Sequence, residues 1–190
     1  MRRAAFPAMP RRLAAAAAPL MAAGGAGAAA RGAASNEPPL FRHGEEGRKV
    51  WAMGVQVTLR AMGEATGGSY AMFEDLVPPG VSNPAHVHTR EIETWYMLEG
   101  ELDWFVGDRT LKARPGDFLH TPRGVPHRFG NGGDRPARML LTYAPAGFEH
   151  WFLEIGTPAE AGAPPPPRPD RERIRRAIEA ASRYGVRFVT

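Results

Sequence analysis

The sequence predicts an all-β domain, an antiparallel sandwich or barrel. Three observations carry this: short runs with apolar residues at every second position, Gly- and Pro-rich turns between those runs, and no long helix between them. A chain of 190 residues is long enough for one well-buried core. With no cysteine in it, that core forms without disulfides.

Taken in order, residues 1–34 form a leader with five arginines and no acidic residue. Leu13 to Ala30 is built from Ala, Gly, Pro, Leu and Met alone. This resembles an export signal, with Ala28-Ala-Ala30 or Gly32-Ala-Ala34 as the small-residue cleavage site. Export to the periplasm or the outside is expected, and the pair Arg11-Arg12 points to the twin-arginine route, although Pro10 departs from its usual pattern and no Phe follows. A start at Met9 or Met21 would make the leader spurious and the protein cytoplasmic. The run is too poor in Leu, Ile and Phe for a membrane span. The leader also carries the charge: 24 basic residues less its 5 leaves 19 against 20 acidic ones, a net charge of −1. The high pI therefore gives no support for a nucleic-acid surface.

Residues 35–49 read as an extended polar segment in which His43 is a surface residue. The barrel is expected over 50–146. Val55, Val57 and Leu59 alternate with Gln56, Thr58 and Arg60, and Gly63 to Gly68 turns the chain. Ser69 to Val77, Glu101 to Val106, Thr110 to Ala113, Phe118 to Thr121 and Arg138 to Tyr143 follow as strands. Residues 147–156 form a short helix whose Phe148, Trp151, Phe152 and Ile155 make one apolar face, expected to pack on the outside of the sheet. His150 lies off that face. Residues 157–169 are a stiff Pro-rich linker. In 170–190, Asp170 caps a final helix with Ile174, Ala177, Ile178 and Ala181 as its apolar stripe. Its arginines form a solvated face, and Val186 to Val189 supplies an edge strand to this barrel or a partner's.

Function is written in two segments, Gly80 to Gly100 and Gly116 to Asn131. His86 and His88, two apart on a strand, project to the same face. Past the polar break Thr89-Arg90-Glu91, a bend can bring the Glu93 carboxylate beside them. The turn Pro122-Arg-Gly124-Val-Pro126 can return His127 as a third imidazole. Three neutral imidazoles and a carboxylate suit Fe, Mn, Ni, Cu or Zn and leave coordination positions open.

The two segments carry Gly80, His86, His88, Glu93 and Gly100, then Gly116, Pro122, Gly124, His127 and Asn131. At these spacings they resemble the paired motifs of the cupin superfamily, with every fixed position present. The wider stretch from about Trp51 to Ile155 is similar to small single-domain cupins of the quercetin dioxygenase-like kind, including the turn at Gly63 to Gly68 and the segment Ala144 to Glu149. The resemblance implies a double-stranded β-helix, or jelly-roll barrel, and one divalent transition metal (Fe, Mn, Ni, Co, Cu or Zn) held by His86, His88, Glu93 and His127. A homodimer is the assembly expected.

If Glu93 points inward, alternation sends Trp95 and Met97 inward too, and Phe129 two residues after His127 joins them. These are the expected substrate pocket; Trp104 is read as core. His120 is placed either against substrate or a metal ligand, or toward the opposite sheet. An apolar aromatic pocket above a metal suits a small aromatic or enol substrate. The expected activity is that of an oxygenase resembling quercetin 2,3-dioxygenase, with Glu93 as a ligand that also accepts the substrate hydroxyl proton. The alternative is a metal-containing binding or sensing module, or a non-redox isomerase or lyase.

Overall fold

The computed structural model describes residues 38–44, 46–160, 165–166 and 168–189. The predicted leader lies outside them, as does part of the Pro-rich linker. Among the described residues, twelve strands and two α-helices follow in chain order: β1 Arg48–Ala52, β2 Val55–Ala61, β3 Ala71–Val77, β4 His86–His88, β5 Ile92–Glu99, β6 Leu102–Val106, β7 Arg109–Ala113, β8 Phe118–Thr121, β9 His127–Gly130, β10 Ala137–Ala144, α1 Glu149–Ile155, β11 Thr157–Pro158, α2 Arg171–Ala181 and β12 Val186–Phe188. No helix among the described residues is long and apolar enough to cross a membrane.

The strands form two antiparallel sheets. The larger runs β11-β1-β2-β3-β10-β5-β8 and the smaller β12-β4-β9-β6-β7. Their inner faces meet in one core: Trp95 of the larger sheet packs edge-on against Trp104 and Phe129 of the smaller, at centroid distances of 5.4 and 5.8 Å. Period-two alternation sorts each strand. On β3, Ala71, Phe73, Asp75 and Val77 are buried and Met72, Glu74 and Leu76 lie on the wetter face, where Glu74 pairs with Arg60 and Arg138. This is the all-β double-sheet architecture that the alternation predicts.

Two motif glycines are required by backbone geometry. Gly124 takes φ +77° in the turn before β9 and donates its N–H to the His88 carbonyl at 2.8 Å, tying that turn to β4. Gly100 takes φ +73°, and a Cβ there would stand 2.9 Å from the Pro136 carbonyl oxygen.

Helix α1 departs from expectation. Phe152 packs on Phe73 at 5.2 Å and Phe148 on Tyr143 at 5.0 Å, both inner-face residues. The helix therefore closes part of the barrel interior and does not lie on the outside of the sheet. The buried Glu149 carboxylate sets this placement, accepting the N–H groups of Gly63 at 2.8 Å and Gly147 at 2.5 Å. Helix α2 starts at Asp170, whose carboxylate accepts the Arg173 N–H at 2.8 Å. It buries Ala177, Ala180 and Ala181, and the Trp151 indole donates to the Ala177 carbonyl at 2.9 Å. Ile178, assigned to the stripe from sequence, is exposed, because the small alanines make the close face. Arg175 and Arg176 pair with Glu172 on the solvated side. Strand β12 pairs with β4 of its own barrel.

Asn131 shows why its motif position is restricted. Its side-chain NH₂ donates to the carbonyls of Val77 (2.9 Å) and Arg135 (2.8 Å), and its Oδ1 accepts the Gly133 N–H at 3.0 Å. Asn131→Ala leaves these buried groups unsatisfied and should lower unfolding stability by about 1–3 kcal/mol, read from the urea midpoint at unchanged slope. An unchanged midpoint would remove Asn131 from this role.

Candidate metal centre

The site spans both sheets. Strands β4 and β9 of the smaller sheet set His86 directly opposite His127, and β4 adds His88 on the same face. Strand β5 of the larger sheet projects Glu93 toward them. All four side chains are buried, and each offers one ligand atom such that these atoms lie within 4.8 Å of one another. The Nε2 of His127 stands 2.7 Å from Glu93 Oε2, and the Nε2 of His88 stands 3.5 Å from the same oxygen.

The outer ring nitrogens are all engaged. His86 Nδ1 meets the Pro84 carbonyl at 2.9 Å, His127 Nδ1 the Val125 carbonyl at 2.8 Å, and His88 Nδ1 the Glu91 carboxylate at 3.2 Å. Acceptors at Nδ1 place a proton there and turn each Nε2 inward, where it can offer a lone pair to a metal; in the metal-free chain His127 Nε2 donates to Glu93 Oε2. His88 Nε2, fully buried, has no hydrogen-bond partner among the described residues. Such an orphan is costly unless something not supplied by the protein satisfies it. The donor set fits a single transition metal, with His86, His88, His127 and Glu93 as its ligands.

Electrostatics agree with this. Burial, and then the charge on His127, push His86 down to about 3, so it is neutral over the working range. Burial opposes ionisation of Glu93, but the neighbouring imidazoles, His127 above all, overcome it and hold the carboxyl below its usual range. Its Oε1 accepts from the Trp95 indole at 2.5 Å and the Tyr143 hydroxyl at 2.8 Å. Burial and the Glu93 charge push Tyr143 well above the ordinary phenol value, so it stays a donor.

Of the residues assigned to the pocket from sequence, Trp95, Met97 and Phe129 are buried between the sheets, with Trp95 tied to Glu93 and Phe129 on the wall of the interior cavity. His120 stands elsewhere. Strand pairing sets it opposite Thr94, one residue off the inward-facing Glu93–Thr121 pair, and it is exposed. His43 and His150 are exposed. Sequence reasoning missed Tyr143, Glu91 and Phe148. The alternation of β10 held a signal for Tyr143; the other two reach the cluster through a bend and a helix that periodicity does not position.

Residues 73–143 match the family model described as the cupin domain, and all four clustered residues fall inside that match. Over that stretch the chain is similar to the cupin superfamily, the resemblance that the two motifs carry. Among curated relatives, it is 31% identical over 95 residues to quercetin 2,3-dioxygenase of Bacillus subtilis, covering 50% of this chain and 28% of that protein. To germin-like protein subfamily 2 member 1 of Arabidopsis thaliana it is 36% identical over 72 residues, covering 34% of this chain and 32% of that protein. The chain spans about a third or less of the length of these two relatives. The solved structure of the polyketide cyclase RemF from Streptomyces resistomycificus superposes with a TM-score of 0.50 at 24% identity, over 56% of this chain and 80% of that one, which is a likeness of fold.

Two outcomes follow for metal binding. Burial alone would depress His127, but the Glu93 carboxylate, by charge and hydrogen bond, and the Val125 carbonyl raise its pKa above the ordinary imidazole value. In the metal-free protein His127 therefore keeps its proton to higher pH, and an incoming metal displaces it. Affinity should fall as pH is lowered through that raised pKa and below it, by about tenfold per unit for one proton; calorimetry in two buffers of different ionisation enthalpy counts the proton released. Glu91→Gln removes the charged acceptor behind His88 and should weaken metal affinity by about 10–100-fold with the fold intact, measured by chelator competition. Equal affinity in that variant would detach Glu91 from the site.

Proposed function

We propose that the protein is a metal-dependent oxygenase acting on a small aromatic or enol substrate. The observation that carries this reading is the placement of three inward imidazole nitrogens and one carboxylate at the edge of an apolar, aromatic-walled interior. His86, Phe129, Leu141, Tyr143 and Phe148 line that interior, which is small. Pockets for drug-sized ligands start near ~300 Å³, so the reading favours a phenol or enol of a few carbons over a flavonol. The likeness to quercetin 2,3-dioxygenase supports the reaction class and leaves the substrate to the cavity.

A bound redox-active metal supplies Lewis-acid activation of a substrate oxygen and electron transfer to dioxygen. The chain's own residues do the rest. Glu93 Oε1 is occupied by the Trp95 and Tyr143 donors, so the oxygen left to accept the substrate hydroxyl proton is Oε2, among the imidazoles. Phe129, Leu141 and Phe148 exclude water, which strengthens electrostatic interactions inside.

Oxygen consumption tests this. The protein is loaded separately with Fe(II), Mn(II), Ni(II), Co(II) and Cu(II), then supplied with catechol, acetylacetone or quercetin. The expected outcome is uptake that requires a redox-active metal, is faster with a small substrate than with quercetin, and falls at least about a hundredfold in Glu93→Ala. Absence of uptake with every loaded form and substrate would assign the site to binding, sensing or non-redox isomerase or lyase chemistry.

A further inference from the structure

Strand β3 carries one residue that neither the metal centre nor the core explains. Its inward row reads Ala71, Phe73, Asp75, Val77, so an acid occupies a place where the pattern calls for a hydrocarbon. Asp75 is 3% exposed. Its strand neighbours are Val57 on β2 and Met139 on β10. Among the described residues it forms no ion pair, and its Oδ1 has no hydrogen-bond partner. The outer-face acid one residue earlier, Glu74, is by contrast saturated by Arg60 and Arg138.

A buried carboxyl without a partner is among the costliest groups a core can hold, and native structures keep such groups where something outside the chain completes them. Asp75 lines the interior cavity that also touches His86. Other polar atoms of that cavity are engaged within the chain. The Tyr143 hydroxyl donates to Glu93, His86 Nδ1 meets Pro84, and Asn83 Oδ1 accepts the Phe129 N–H at 2.7 Å. The Asp75 carboxyl is thus a cavity-wall group that no described residue satisfies.

We propose that Asp75 is a specificity-determining residue that hydrogen-bonds a second polar group on a small, mainly apolar ligand whose first oxygen lies at the His86 side of the same cavity. The proposal rests on the reading that this cavity is the ligand site, and not on oxygenation. The ligand class it selects is a ring or short enol with oxygens at two separated positions, its body against Val57, Phe129, Leu141 and Phe152. Burial, with the Glu93 and Glu74 charges, pushes the Asp75 carboxyl well above the usual carboxylate range. In its neutral form it offers both an O–H donor and a carbonyl acceptor, which suits a hydroxyl or a carbonyl on the guest.

The test uses the full chain loaded with Zn(II), which performs no redox step, so binding is read apart from turnover. Phenol, resorcinol and hydroquinone are titrated anaerobically against tryptophan fluorescence and by calorimetry. The second hydroxyl of the two diols cannot chelate the metal beside the first. The expected result is that at least one diol binds about tenfold tighter than phenol in the wild-type protein, that Asp75→Leu abolishes this advantage while phenol affinity stays within about twofold, and that Asp75→Asn, which keeps a donor and an acceptor, retains part of it. Asp75→Leu should also unfold at higher temperature than wild type, since it removes an unsatisfied buried group. If that variant does not fold, the Asp75→Asn comparison with wild type decides. A diol advantage that survives replacement of Asp75, phenol and diols bound equally by wild type, or no binding of any of the three, would overturn the proposal. Oxygen uptake can fail independently of each of these results.

Discussion

Three imidazoles and a carboxylate removed from water between two sheets must be compensated, and the contact that does most of this crosses the barrel: His127 on the smaller sheet against Glu93 on the larger, at 2.7 Å. Every neighbouring choice follows from it. Glu93 can be aimed at His127 only while Trp95 and Tyr143 hold its other oxygen, and His127 can present Nε2 only while Val125 holds Nδ1. The same device repeats at His86 with Pro84 and at His88 with Glu91. Strand register is therefore as much a part of the site as the side chains. A slip of one residue on β5 would turn Glu93 to the outer face and bring Thr94 in, leaving three buried imidazoles with no counter-charge.

The fold class, the strand succession and the composition of the metal cluster were legible because each rests on short-range rules. Alternation fixes which side of a strand faces in, and the His86, His88, Glu93, His127 spacing needs only two strands and a turn to close. What escaped depends on contacts distant in sequence. His120 could not be placed because its face is set by pairing with β5 across the Pro122 turn, and Thr94 opposite it is an outward residue. The placement of α1 inside the barrel mouth depends on Glu149 reaching back to Gly63, a contact that no periodicity announces. Asp75 is an intermediate case. The alternation of Ala71 to Val77 already points it inward, but only the finished cavity shows that none of the described residues satisfies it.

The cupin match ends at residue 143, yet the interior does not. Phe148 stacks edge-on against His88 at 4.6 Å, and Phe188 lies 5.8 Å from His86. The metal ligands thus come from the part of the chain shared with the family, whereas part of the wall around them comes from the segments that follow it. Those segments also support the ligands directly. Strand β4 pairs with β9 at His86 opposite His127, but with β12 over His86, Val87 and His88.

Without β12, the strand carrying two of the three imidazoles would be an edge with most of its backbone groups unpaired. The turn before β12 adds to this. Gly185 takes φ +77°, and its carbonyl accepts both the Thr89 N–H at 2.8 Å and the Thr89 hydroxyl at 2.7 Å, while Arg90 donates to the Arg183 carbonyl at 3.0 Å. The residues that follow His88 are held from the C-terminal side just where the chain must bend to deliver Glu93 to the opposite sheet. The C-terminal helix and strand are in this sense part of the metal centre's scaffold. They fix the position of β4, and through Phe188 they limit what can reach His86.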